Sequence, residues 1–529
     1  MILPVLLVAL GLQQQAPPVE RYGLVLVQGR DTTALERVTR EGRTLRAEVL
    51  VPHRARLAVA VQADSLGCVR DADVRVFPWG SPPDASPIRR VTVRLDADSV
   101  RVEASARGVT GSVVRPAAGG RFVLADESIA AASLLLECAG GLRVRGADSA
   151  VVPSLGFPGL QARSLRVRWY GDSAMIAGTD TSWAFFGHGG EVSRMAVGRG
   201  GLVARRVSMR DLDAIPIAAS DYSAPPGAPY RASDVLVRVD TGVVLAGTLT
   251  LPGGAAAPVP AVVTISGSGA QDRDSYAAIA GGWRPFRQLA DTLARRGVAV
   301  LRLDDRGVGG STGDYGTSTE RTTAADIRAA IAFLRARPDI AGDRIAVLGH
   351  SEGARVAMLV ASEDPRLAAV ALLSGAADPR AAIRAQALWV AAHQLTGGLP
   401  PDSVVAMVDR RMDSLAATLP REVLRWNAAE LAGRIRAPAG IFQGATDRQV
   451  PSDQADSLGA LFRRAGNRNV TVRVFAGRNH LLVPDPDGDF LRYDRLGSAQ
   501  LDPEVLGAIA DWIVGALDAS GPRPAVPAR

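Results

Sequence analysis

The sequence predicts a chain in two parts: an antiparallel β-rich domain over residues 19–221, then an α/β domain over 234–520 whose mostly parallel sheet carries helices on both faces. Three observations predict it. The first part alternates apolar and polar residues with period two. A proline-rich stretch, 222–233, interrupts the pattern. Beyond it, short wholly apolar runs are separated by amphipathic segments, as in a sheet buried on both sides.

Size requires more than one core, because 529 residues exceed the roughly 250 to 300 that a single core accommodates. Hydrophobic residues at 47% and charged residues at 22% are ordinary for a folded chain and exclude extensive disorder. The formal charge of +7 does not indicate a nucleic-acid partner. Every basic residue is arginine, spread along the chain, and no basic cluster is interleaved with the aromatics that backbone binding and base stacking need.

The N-terminus, "MILPVLLVALGLQQQAPP", carries an apolar run from Ile2 to Leu12 that is short for a bilayer span and ends among small and polar residues. It reads as a signal peptide over 1–18, despite lacking a basic residue before the run and an A-x-A site, and predicts a periplasmic or extracellular protein. No later segment has 18 consecutive apolar residues, so no stable membrane insertion is expected after its removal. No cysteine closely follows the run, which argues against a lipid anchor. Cys68 and Cys138 would pair in an oxidising compartment; the alternative is two separate buried thiols, and neither number nor spacing suits zinc.

Within the first domain, "LRAEVLV", "RLAVAVQ", "DVRVFP", "RRVTVRLD", "SVRVEAS" and "RFVLAD" read as strands punctuated by Gly, Pro and Asp. They predict a sandwich or an open barrel. The domain's function is not legible. After "YSAPPGAPY", "DVLVRVDTGVVLAGTLTLP" places Val235, Val237, Val239, Val243, Leu245, Leu249 and Leu251 in one parity around Asp240-Thr241-Gly242, which is a hairpin. Apolar runs then alternate with helices expected at 283–296, 321–336, 352–362, 452–465 and 503–517. A helical interruption at about 378–435, carrying Trp389, Leu395, Val404, Met407, Met412 and Trp426, is expected as a cap over the strand ends. Residues 521–529 are expected as a disordered tail.

Two segments fit G-x-S-x-G, which a chain with 55 glycines produces easily. Context separates them. Ser351 follows "RIAVLGH" without a gap and precedes "EGARVAMLVAS", so it stands on a sharp turn from a buried strand into a helix. Such an elbow lifts the hydroxyl to a helix N-terminus, where backbone N–H groups and the helix dipole favour developing negative charge. The bland alternative is a helix-capping serine. Ser311 lies in the loop "GGSTGDYG", well past its strand.

A serine hydroxyl needs a base. Of five histidines, His53 and His188 fall in the β-rich part, His350 adjoins the serine but points elsewhere, and His393 lies in the cap. His480, after "VTVRVFAGRN" at the end of the last strand, remains. The base needs a carboxylate to fix its tautomer. Asp447 in "GIFQGATDRQVP" supplies it, with Asp378 after "ALLSGAA" as runner-up. Two N–H donors are then required for the oxyanion, each worth roughly 3 to 4 kcal/mol. One is the backbone N–H of Glu352. The other comes from "ISGSGAQDRDS", with Ser268 favoured and Gly267 or Gly269 open, while Asp272 and Asp274 anchor that loop.

In this order, "SGSGAQDRD", "LRLDDRGVGGSTGD", "LGHSEG", "GATDRQVP" and "GRNH" resemble α/β-hydrolase-fold serine hydrolases, in particular bacterial esterases near the serine aminopeptidases and acyl-peptide hydrolases. The resemblance spans about 234–518. It implies that the Asp304–Ser311 segment shapes a loop and holds no nucleophile. Ala354 stands where such proteins often have a further glycine, which bears on helix packing. The resemblance implies acyl transfer to water by Ser351, His480 and Asp447 through an acyl-enzyme, with no metal or cofactor. The expected substrate is a small-molecule ester or a short peptide. Carboxylesterase activity is the first expectation. Aminopeptidase or acyl-peptide hydrolase activity is the second, and a binding protein with a degenerate hydrolase half the third. Oligomeric state is not legible.

Overall fold

The computed structural model describes residues 19–519 except 29–30, 52–54, 79–80, 82–84, 97–98, 107–108, 117–122, 126–128, 144–146, 157–160, 178–180, 189, 198–201, 216–219, 255–257, 278–279, 281, 395–400, 417–420 and 497–499. The signal-peptide reading of 1–18 and the tail at 521–529 therefore lie outside the described residues, as do His53 and Leu395.

The β-rich part is one 15-stranded sheet, a meander from Val19–Gln28 outward in both directions, antiparallel except where the three-residue strand Val123–Ala125 pairs in parallel with Ser149–Gly156. Alternation works as expected: along Ala55–Ala63 the residues of one parity are buried and the others are not. The sequence reading missed the helix Ile129–Leu142, "IAAASLLLECAGGL". It is apolar on nearly every side, so it has no polar stripe to betray a helical period. Leu134, Leu135, Leu136, Cys138 and Ala139 are buried against the sheet's apolar face. This helix touches strand Asp31–Glu41 and also Val123–Ala125, which lie eight positions apart in the sheet. In a flat sheet they would be about 38 Å apart, against a helix about 10–12 Å wide, so the sheet must curl around it. Of the two expected forms, the open barrel is the one adopted. Cys68 and Cys138 are joined, tying the turn before strand Val69–Pro78 to the helix.

The second part has eight strands: β1 (Tyr230–Arg238), β2 (Val244–Pro252), β3 (Val259–Ile265), β4 (Ala299–Leu303), β5 (Ile340–His350), β6 (Ala369–Leu373), β7 (Ala439–Gly444) and β8 (Val470–Phe475). Their order is β1-β2-β4-β3-β5-β6-β7-β8, with β1 and β2 antiparallel and the rest parallel. β3, β4, β6 and β7 are buried at every residue, as strands covered on both faces must be. One face packs on helices Glu320–Arg335, Glu352–Glu363 and Asp453–Arg464, the other on Pro285–Ala294 and Pro503–Ala519. Each falls within about two residues of its expected position.

Two boundaries differ from expectation. β1 begins at Tyr230, inside the supposed linker, and Tyr222 is not loose: its hydroxyl donates to Asp272 (2.9 Å) and its ring lies under the Arg273 guanidinium. The interruption between β6 and β7 holds helices Pro379–Gln394, Pro401–Ala416, Arg421–Leu424 and Ala428–Arg434. The last of these belongs to the body, since Ala428 and Ala432 are buried in the main core. Among the described residues no helix is long and apolar enough to cross a membrane.

Candidate active site

β5 runs into helix Glu352–Glu363 through one residue, Ser351, at φ 57° and ψ −116°. A non-glycine residue held there is strained, and the flanking chain has to enforce it. The Ser351 N–H donates to the Leu373 carbonyl of β6 (2.8 Å). The glycines on either side serve close approach. A Cβ at Gly349 would run into the Gly353 carbonyl, and one at Gly353 into the carbonyls of Ile265 and Ser266. Ala354 is accommodated by its neighbour: a Cβ at Gly375 would stand 2.8 Å from that of Ala354, so the missing side chain at 375 makes room for the one at 354.

The Ser351 side chain does not cap the helix, which removes the bland alternative. Ser311 is structural. Its hydroxyl donates to the Asp304 carbonyl (2.8 Å) and accepts from the Ala246 N–H (2.9 Å). Asp378 is equally local, its Oδ1 accepting from the N–H groups of Arg380 and Ala381.

His480 and Asp447 meet. Nδ1 of His480 lies 2.7 Å from Oδ2 of Asp447, and both residues are buried. Asp447 is held from every side: Oδ2 also accepts from Gln443 Nε2 (2.8 Å), while Oδ1 accepts from the N–H groups of Gln449 and Val450 (both 2.8 Å). Both Asp447 oxygens already accept from N–H groups, which only donate, so the bond from His480 is donated by Nδ1, which carries the proton. That leaves Nε2 as the basic nitrogen. Among the described residues Ser351 Oγ has no hydrogen-bond partner; a bond between nucleophile and base commonly tightens only as the reacting complex forms.

The sequence reading missed what holds His480 from behind. Its carbonyl accepts from His350 Nε2 (2.9 Å) and from Ser374 Oγ (2.9 Å), and the two imidazoles lie tilted against each other with centroids 4.9 Å apart. A carbonyl only accepts, so His350 carries its proton on Nε2. Burial holds the His350 pKa down at about 3, with the proximity of His480 contributing, so this ring stays neutral. Trp283 packs on its other side at 5.1 Å. His350, expected to play no part, bonds the backbone of His480. Nothing in the sequence could have paired it with a carbonyl 130 residues away.

Ser268 sits in the loop after β3 and is exposed; its hydroxyl donates to Glu352 Oε2 (2.9 Å), so the two predicted oxyanion residues are brought together. Gly267 comes closest to the elbow, a Cβ there standing 3.3 Å from that of Ser351. Asp272 and Asp274 anchor the loop as expected. Asp272 Oδ1 accepts from the N–H groups of Asp274 and Tyr276, and Asp274 pairs with buried Arg302.

Strand order, elbow and the Asp447–His480 pair define this part as an α/β-hydrolase domain resembling bacterial esterases. Sequence comparisons agree. The family model described as X-Pro dipeptidyl-peptidase (S15 family) matches residues 241–476. Esterase EstD of Thermotoga maritima is 26% identical over 286 residues, 51% of this chain and 65% of that protein. An uncharacterised protein of Mycobacterium tuberculosis is 36% identical over 137 residues, 26% of this chain and 43% of that one. The chain thus spans less than two thirds of the length of these relatives. An esterase structure from Pyrococcus furiosus superposes at 18% identity, covering 57% of this chain and 96% of that one, with a TM-score of 0.40.

Proposed function

We propose that the protein is a carboxylesterase. Ser351 attacks the ester carbonyl as His480 Nε2 takes its proton; His480 returns the proton to the leaving alcohol; water then hydrolyses the acyl-enzyme by the same route. The observation that carries the reading is the buried 2.7 Å bond between Asp447 and His480, whose carbonyl is bonded by His350, the residue that precedes a serine on a strained strand-to-helix turn. The N–H groups of Glu352 and of Ser268 are the proposed oxyanion donors, with Gly267 and Gly269 as alternatives for the second. The likeness to a protein named as an esterase favours ester substrates.

A second reading, an exported aminopeptidase or acyl-peptide hydrolase, is favoured by the peptidase family match. Amide cleavage uses the same three side chains and differs in protonating an amine leaving group. Purified protein is assayed on p-nitrophenyl acyl esters and on aminoacyl and X-Pro anilides: ester turnover is expected to dominate, and strong anilide turnover with negligible ester turnover reverses the order. A fluorophosphonate probe tests the third reading, a binding protein with a degenerate hydrolase half. Labelling lost in Ser351→Ala, together with about a millionfold loss of turnover, is expected; an intact protein that stays unlabelled sinks both hydrolase readings.

We also infer export, supported by the Cys68–Cys138 bond, which persists in oxidising compartments. The insertion helices are proposed to cover the site. Trp389 packs at a tilt against Phe490, centroids 5.2 Å apart, and Gln386 donates to the carbonyl of Gln449, two residues from Asp447.

A further inference from the structure

The Asp304-Asp305 pair, which follows β4 in the segment that carries Ser311, is left unused by the mechanism. The two carboxylates reach the loop after β3 at three points. Asp305 Oδ1 accepts from the Ser266 hydroxyl (2.5 Å) and Oδ2 from the Gln271 N–H (3.0 Å), while the Asp305 N–H donates to the Gln271 carbonyl (3.1 Å). Asp304 takes the next stretch, accepting from the Arg273 N–H (2.8 Å) and its guanidinium. Gln271 passes the constraint inward, its Nε2 donating to the Ser268 carbonyl (3.0 Å). The loop is thus gripped at both feet, 266 and 271, and the span between them contains every candidate for the second oxyanion donor.

We propose that Asp305 is the positioning residue of the oxyanion loop, pinning Ser266 and Gln271 so that a backbone N–H of residues 267–269 faces the oxyanion formed at Ser351. This rests on the serine-hydrolase reading. The chemistry of the grip suits the task. Burial pushes the Asp305 pKa up to about 7, the bonds from Ser266 and Gln271 pull it down, and Asp304 and Glu352 push it further up. Either protonation state keeps both bonds, since the Ser266 hydroxyl can donate or accept while Oδ2 continues to accept from Gln271. The grip therefore survives titration, and so should it survive an isosteric amide.

The test is the set Asp305→Ala, Asp305→Asn and Ser266→Ala in the full chain, assayed on a p-nitrophenyl ester and with a trifluoromethyl ketone as transition-state mimic. Asp305→Ala is expected to lower kcat about a hundredfold with KM little changed, and to weaken the ketone by the same factor as kcat/KM. Asp305→Asn is expected to recover most of that loss, which a bulk packing defect would not predict to track ketone affinity. A folded Asp305→Ala with wild-type kcat, or an Asn variant as impaired as the Ala variant, overturns the proposal. Should Asp305→Ala fail to fold, Ser266→Ala decides: about a tenfold lower kcat supports the grip, and an unchanged kcat overturns it. Wild-type protein that neither turns over ester nor labels with fluorophosphonate removes the hydrolase reading itself and the proposal with it; a labelled, active wild type beside an unimpaired Asp305→Ala removes only the positioning.

Discussion

Replacing Asp447 by Asn should abolish most activity while leaving the fold standing, and the structure says why. The carboxylate accepts four hydrogen bonds. Two come from the backbone N–H groups of Gln449 and Val450 at Oδ1, which cannot turn, so the single oxygen of Asn must face them. The new NH2 then faces His480 Nδ1 and Gln443 Nε2. Gln443 can rotate its amide, because its Oε1 is buried without a hydrogen-bond partner and would gain one, at the expense of the bond to the Val450 carbonyl. His480 has no such freedom. Its Nδ1 must now accept, the proton moves to Nε2, and the nitrogen that should take the Ser351 proton already carries one. A wrong tautomer of this kind lowers kcat about 10⁴-fold, equivalent to about 5 kcal/mol of transition-state stabilisation. The stability change should be about 1–3 kcal/mol, since bonds to a charged acceptor become neutral ones and the buried Val450 carbonyl loses its donor. Steady-state turnover of a p-nitrophenyl ester, fluorophosphonate labelling rate and a urea midpoint measure all three. A folded variant that loses less than about tenfold in kcat would refute the tautomer argument and the assignment of Asp447 with it.

Three further outcomes follow from the same structure. Cys68 and Cys138 are 70 residues apart, and opening that loop should cost about 4 kcal/mol; reductant or a Cys68→Ser/Cys138→Ser double variant should lower the melting temperature of the β-rich part, and an unchanged melting curve would count against it. Arg302→Met leaves the Asp274 carboxylate buried without its closest cation and should destabilise by about 3–5 kcal/mol in urea; adding Asp274→Leu should restore much of the loss, and failure to do so would mean that the ion pair is not the cause. His350 is held neutral in the fold with a pKa of about 3, against 6.5 when unfolded. The unfolded chain therefore binds the extra proton between those values, and stability falls with pH from about 6.5 downward, by up to about 1.4 kcal/mol per pH unit from this group. His350→Gln should flatten that slope in acid denaturation; an identical slope would place the His350 proton elsewhere.

The proposed reacting groups were legible in the sequence for a reason that does not extend to their supports. Strands β3, β5, β6 and β7 are buried on both faces, so they are written almost wholly in apolar residues, and a polar residue just past the end of one stands out. Ser351 and Asp447 follow such strands, whereas His480 lies five residues past β8, half of whose residues are exposed, and emerged by elimination among five histidines. Choosing Ser351 over Ser311 needed only the length of chain between strand and serine. The supports carry no such mark. His350 and Gln443 belong to the strands themselves, and Ser374 follows β6 directly, where a lone serine reads as a turn; its target carbonyl is 106 residues away. In the β-rich part the failure was of another kind: Ile129–Leu142 is apolar on nearly every side, so no polar stripe marks a helical period.

That asymmetry bears on how the site is held. The Asp447 carboxylate and the His480 carbonyl are each gripped by neighbours that take no part in proton transfer, and the loop facing the elbow is gripped by Asp304 and Asp305. At Ser351 the constraint falls on the backbone, held in a strained conformation by β6 and by the close pass at Gly349 and Gly353, while its hydroxyl makes no hydrogen bond among the described residues. Loss of a side-chain grip should therefore slow the chemistry in a folded protein, whereas a Cβ at Gly353, driven into the carbonyls of β3 and the oxyanion loop at once, should disturb strand pairing and turnover together. A Gly353→Ala protein with native stability but poor turnover would show that the elbow tolerates more backbone movement than this packing allows.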